Sequence, residues 1–150
     1  MELLSLLKRN RELEFESLLA RAAVDPVCEP VLIRNLLSTK LLLITFDRFK
    51  TDGYHLVEKD TPVDIYTYSN GEVPVFSSTE RIFDNNVHSE KVKYIAMEGQ
   101  MLFTILKNKN LVLNPNSEYS MEFNPNDIKL LLSGQKAGKL IKHRNLATVR

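Results

Sequence analysis

The chain has a single cysteine, Cys28, and no tryptophan. One thiol cannot close an intramolecular disulfide or supply a thiolate zinc cluster, so the composition suits a reducing cytoplasm. An excess of one charge is also missing: 20 Lys and Arg against 19 Asp and Glu leave a formal net charge of +1. No global field gathers nucleic acid or an anionic membrane, and any such contact must come from a local patch. Long apolar runs are absent too. Nothing approaches the ~20 apolar residues of a membrane helix. At the start, Glu2 comes first and Lys8-Arg9 follow Leu3, Leu4, Leu6 and Leu7, the wrong charge order for a secretory signal. Five glycines and six prolines are too few for a disordered or collagen-like chain. The expectation is a soluble, cytoplasmic protein with one core, long enough to bury roughly 70% of its unfolded surface.

Within those bounds the pattern is α+β: an N-terminal helical hairpin, then a mixed sheet with short interspersed helices, in a single domain. Phe15, Leu18, Leu19, Ala22 and Ala23 follow helical spacing, so Arg11 to Ala23 is expected to be an amphipathic helix ended by Asp25-Pro26. Pro30 marks the start of a second helix burying Ile33, Leu36 and Leu37, with Cys28 in the turn. Lys40 to Phe46 reads as a strand covered on both faces, and Asp52-Gly53 as a polar excursion. Val63 to Ser69 alternates and Asn70-Gly71 suggests a type I′ hairpin, with Glu72 to Phe76 returning as an edge strand because Pro74 has no N–H. Ser77 and Glu80 have capping-box spacing ahead of a short helix with Ile82 and Phe83. Lys91 to Met97 is a strand; Met101, Leu102, Ile105 and Leu106 form a helical stripe; Leu111 to Leu113 is the next strand. Asn124, Pro125 and Asp127 open a last helix that buries Ile128, Leu131 and Leu132 and stops at Gly134. The boundaries expected are an extension over 1–10, a domain over 11–134 and a basic tail over 135–150 outside it.

Residues that could do chemistry are scattered. His55, His88 and His143 sit in separate polar segments without ligand spacing, so they read as surface histidines and no metal or cofactor is expected. Cys28 lies between Asp25 and Glu29, which disfavour a thiolate, so it reads as a structural thiol. Gly134 to Lys139 only superficially resembles a phosphate loop, being one residue short and lacking the Ser or Thr after Lys. The tail has Lys136, Lys139, Lys142, Arg144 and Arg150 but no interleaved aromatic, which disfavours nucleic-acid binding.

The densest polar segment runs from Asn114 to Glu122. Asn114, Asn116, Ser117, Glu118 and Tyr119 place donors, acceptors, a charge and a ring after a strand, which suits a recognition surface. Asx and Ser turns with Pro115 would select the same residue types for purely structural reasons. Both readings stand. Glu118 and Glu122 are the loop's only carboxylates, with no base or nucleophile placed beside them, so no catalytic residue is assigned.

Three segments carry a resemblance: Leu18 to Ala23 through Asp25-Pro26 and Pro30; Val73 to Ser78 with Arg81; and Leu111 to Tyr119 with Glu122-Phe123. Together they resemble the N-terminal domain of the bacterial SseB (enhanced serine sensitivity) family, the last matching its Asn-Pro-Gly-Ser-Glu-Tyr motif and the second its Pro-x-Phe-Thr-Ser segment. Asn116 stands where that motif has Gly, a swap that keeps positive φ accessible. Longer members continue into a second domain that these residues do not include. The resemblance implies no reaction. It leaves as leading expectation a non-catalytic module that binds another protein through Asn114, Asn116, Ser117, Glu118 and Tyr119 with Phe76 and Ser77. The alternatives are an amino-acid-related sensor or enzyme and a toxin-neutralising protein. A monomer is expected, with a weak dimer through the Pro74 strand as the other option.

Overall fold

The first stripe of apolar residues does what its spacing predicts. In the computed structural model, which describes residues 14–46, 53–55, 64–88, 91–135 and 140–143, helix α1 covers 14–24 and buries Phe15, Leu19 and Ala22. Its expected start at Arg11 and the extension over 1–10 lie outside the described residues. Asp25 then turns the chain, its Oδ1 accepting the Val27 N–H at 3.1 Å over a 3₁₀ turn, Pro26–Cys28. Helix α2, Glu29–Ser38, follows with Pro30 in its first turn, where a missing N–H is harmless. Leu32 and Leu36 are its buried residues, while Ile33 and Leu37 are half-buried. The helical hairpin stands, and Cys28 is half-buried within it.

Seven strands form one mixed sheet: β1 (Lys40–Thr45), β2 (Gly53–His55), β3 (Val73–Phe76), β4 (Lys93–Glu98), β5 (Leu111–Leu113), β6 (Tyr119–Phe123) and β7 (Ile141–His143), in the order β2-β4-β1-β3-β5-β6-β7. Between them lie α3 (Thr79–Ile82), a 3₁₀ turn (Asp84–Asn86), α4 (Gly99–Ile105) and α5 (Pro125–Leu132). Alternation along the strands divides the core. Leu41 and Leu43 join Phe15, Leu36, Phe103 and Ile128 from the helices on one face. Leu42, Ile44 and Phe76 meet Ile82 of α3 on the other. Both faces of β1 are thus covered, as a continuous apolar run implies.

Pro74 is the instructive departure. It lies in β3, between β1 and β5, and is buried. The Val73 N–H and Val75 carbonyl bond toward β5, so the Pro74 nitrogen faces β1. There the β1–β3 ladder pairs only Leu42 with Phe76 and Leu43 with Val75. The Ile44 carbonyl, next along, instead accepts the Tyr66 N–H at 2.8 Å. A neighbouring segment supplies the donor that proline lacks, and the edge-strand argument for a dimer falls with it.

Other expectations shift for similar reasons. Gly53, read as part of a polar excursion, begins β2, which pairs parallel with β4; three residues are too few to show a period. Only Ile65 of the expected incoming strand bridges β1, and Val63 lies outside the described residues. Gly71 alone has positive φ in the following turn, while Asn70 uses its side chain to accept the Glu72 N–H at 3.0 Å, so the turn is not type I′. In α4 the buried residues are Gly99, Leu102 and Phe103, with Leu106 half-buried and Met101 and Ile105 exposed. A Cβ on Gly99 would sit 2.1 Å from the Leu36 carbonyl oxygen. Residues 141–143, expected in a tail outside the domain, form β7, with Leu140 and Ile141 buried. Helix α5 follows its signals closely, with a complete Asn124–Asp127 capping box.

Candidate functional site

The β5–β6 turn spans 114–118, since Tyr119 to Phe123 is a strand and not loop as expected. Asn114 begins it with φ of 52° and is buried; Asn116, expected at positive φ, does not have it. The Asn114 side chain reaches across to the β3–α3 connection. Its Oδ1 accepts the Ser77 N–H at 3.0 Å and its Nδ2 donates to Ser77 Oγ at 2.9 Å. Ser77 Oγ in turn donates to Glu16 Oε2 at 2.9 Å, and Ser78 Oγ to the same oxygen at 2.8 Å. The expected Ser77 capping box is therefore not formed; Ser78 is the N-cap of α3 and makes no side-chain cap.

A second arm of the network fixes the rest of the turn. Ser117 Oγ donates to Asp84 Oδ2, and Asn85 Nδ2 donates to the Asn116 carbonyl at 2.6 Å. Arg81 stands between the arms, its Nε 3.2 Å from Asp84 Oδ2 without hydrogen-bond alignment and one guanidinium nitrogen 3.9 Å from Glu16. Asn114, Ser117 and Ser77 are buried and bonded within this network, and Phe76 of β3 is buried against Leu42, Ile44 and Ile82. Buried polar groups of this kind stabilise only when fully paired, and here most are paired to one another.

Two of the candidate residues turn outward. Glu118 is exposed and its Oε2 lies 3.0 Å from His143 Nε2. Tyr119, half-buried, stacks on the His143 ring with centroids 4.8 Å apart. Asn116 is half-buried, with a buried Nδ2 that has no hydrogen-bond partner. Sequence reasoning missed Glu16, Asp84 and His143. Glu16 sits on the polar side of α1 and reads as solvated; the pairing of β6 with β7 is what brings His143 to Tyr119.

His143 is exposed, as expected, whereas His55 and His88 are half-buried. His88 is half-buried, edge-on to Tyr66 and Phe76, and burial lowers its pKa from the usual 6.5. The network's serine hydroxyls donate to carboxylates, Ser77 and Ser78 to Glu16 and Ser117 to Asp84. Among the described residues no group of three His, Cys, Asp or Glu side chains could hold a metal ion, and no helix is long and apolar enough to cross a membrane.

A groove of about 520 Å³ lies elsewhere, between α2 (Pro30, Ile33, Leu37), Leu131 of α5 and Leu140. Its walls are mainly apolar, with Arg34 and Glu29 also lining it.

No curated protein and no solved structure shows a significant match to the chain. Residues 15–129, more than half of the sequence and including both the Glu16–Ser77–Asn114 network and the turn it fixes, match the SseB protein N-terminal domain, and the chain belongs to that family.

Proposed function

We propose that this domain is a non-catalytic protein-binding or regulatory module, and that Glu118, Tyr119 and Asn116, with His143 beside them, form its partner-facing surface. The observation that carries the reading is the contrast between neighbouring residues of the turn and the start of β6: Asn114 and Ser117 are buried and internally bonded, while Glu118 and Tyr119 are turned outward against His143. Rigid aromatics with a polar edge lose little entropy on binding and are common binding anchors. Pinning the turn from beneath gives them a fixed position before a partner arrives. The polar network stabilises the turn and takes no part in chemistry.

The test is co-purification from the native host with wild-type, Glu118→Ala, Tyr119→Ala and Asn124→Ala chains. The reading expects one partner captured by wild type and by Asn124→Ala, whose stability is lowered at a distant cap, and lost with the two surface variants. Equal capture by all four folded chains would overturn it.

A further inference from the structure

Helix α2 carries two apolar stripes. Leu32 and Leu36 are buried in the core, while Pro30, Ile33 and Leu37 form a second stripe along the groove of about 520 Å³. Ile33 and Leu37 are only half-buried there, and Pro30 is exposed. A helix with apolar residues beyond its core-facing stripe has a further face to cover. Exposed valines crowd the same stretch of chain: Val27 is 82% exposed, and Val24 and Val31 are exposed on either side of it in sequence. Apolar surface gathered in this way marks interaction sites.

The spacing says what fits. Pro30, Ile33 and Leu37 fall at i, i+3 and i+7, the a, d, a pattern of a helix-pairing seam, in which Glu29 takes the g position and Arg34 the e position. Both line the groove. Neither side chain forms a hydrogen bond or ion pair with any described residue. Five positions separate them, a rise of about 7.5 Å along the helix and on opposite flanks of the seam, so one small ion cannot meet both. A second helix can, because the residues flanking its own apolar seam run alongside e and g.

We infer that this groove receives an amphipathic helix of another protein, its apolar seam against Ile33 and Leu37, with an acid on the flank beside Arg34 and a base on the flank beside Glu29. Helix-in-groove docking places apolar anchors at the same helical spacing. The two opposed charges set which helix is accepted. The groove shares no residue with the surface of Glu118, Tyr119, Asn116 and His143, so either can fail without the other.

The test titrates the full chain, ¹³C-labelled at Ile and Leu methyls, with two stapled synthetic helices of two heptads each, followed by NMR. Both have leucine at a and d; one has Glu at e and Lys at g, the other Lys at both. The expected result is saturable shifts at the Ile33 and Leu37 methyls, with a Kd of about 1 mM or below for the mixed-charge helix and binding about threefold or more weaker for the all-lysine one. Arg34→Glu, at an exposed position that leaves the fold intact, should reverse that preference. The absence of a saturable shift at Ile33 and Leu37 overturns the inference. Equal affinity of the wild-type chain for the two helices does so too, as does a preference that Arg34→Glu leaves unchanged.

Discussion

Two Asn-Pro dipeptides lie ten residues apart in this chain and do opposite things. Asn124-Pro125 opens α5: Asn124 is exposed, its Oδ1 accepts the Asp127 N–H at 2.8 Å, and Asp127 Oδ2 accepts the Asn124 N–H at 3.0 Å. Every partner lies within three residues. Asn114-Pro115 opens the β5–β6 turn: Asn114 is buried, takes positive φ, and bonds Ser77, 37 positions away. The first arrangement is local and could form in an isolated helix. The second exists only once β3 and β5 lie side by side, and it links the turn, the β3–α3 connection and Glu16 of α1. Identical chemistry therefore gives a helix cap in one place and a tertiary clasp in the other, and burial is what separates them.

The largest test of that contrast is Asn114→Ala, which leaves the Ser77 N–H buried and unpaired and asks a non-glycine, non-asparagine residue to hold positive φ. A loss of about 3 kcal/mol is expected in urea denaturation; a loss under about 1 kcal/mol would make the clasp no stronger than a cap. Glu16→Ala removes the acceptor shared by Ser77 and Ser78 and should cost about 1–3 kcal/mol. Its double mutant with Asn114→Ala should fall well short of the sum of the single effects, because both belong to one network. Asn124→Ala should cost about 1 kcal/mol and should add to Asn114→Ala within about 0.5 kcal/mol, since the two share no contact. Non-additivity there would erase the distinction between local and long-range.

Acid sharpens it further through His88. Its folded pKa is depressed by burial, so the unfolded chain binds the proton first. Stability is therefore fully present above about pH 6.5 and falls as pH drops from there toward the lower folded value. A set of urea melts across that window should show a shallower slope for His88→Phe than for wild type. The smallest expected effect on stability is at the outward edge of the turn: Glu118→Ala, whose pairing with His143 is more than half exposed, should change stability by less than about 0.5 kcal/mol. Its consequence should be loss of the captured partner.

Much of the fold was legible where the signals are short-range. The stripe of α1, the Pro30 start of α2, the apolar run of β1 and the α5 capping box all rest on contacts within a turn or on burial of a whole segment. Where three-residue strands are concerned, period carries no information, and β2 and β7 were read as polar excursion and tail. The inward face of α4 is Gly99, Leu102, Phe103 and Leu106, a regular helical spacing whose first member is a glycine and so adds no apolar side chain to mark it.

The candidate site divides along the same line. Turn chemistry and the family motif pick out its residues, but which of them face inward is not readable from the sequence. Recognition and turn formation call for the same asparagines and serines, and the choice between them depends on what lies 31 to 37 residues away.

By itself, then, the sequence determined the class of fold, the helices with their stops, and the family. Tertiary structure alone decided that Pro74 could sit inside the sheet, because Tyr66 donates in its place to Ile44. It also decided that Asn114 and Ser117 are buried while Glu118 and Tyr119 meet solvent. Local propensity acts through bonds a few residues long and is written in consecutive letters; the pairing of distant polar groups depends on which strands become neighbours, and that is settled only when the whole sheet assembles.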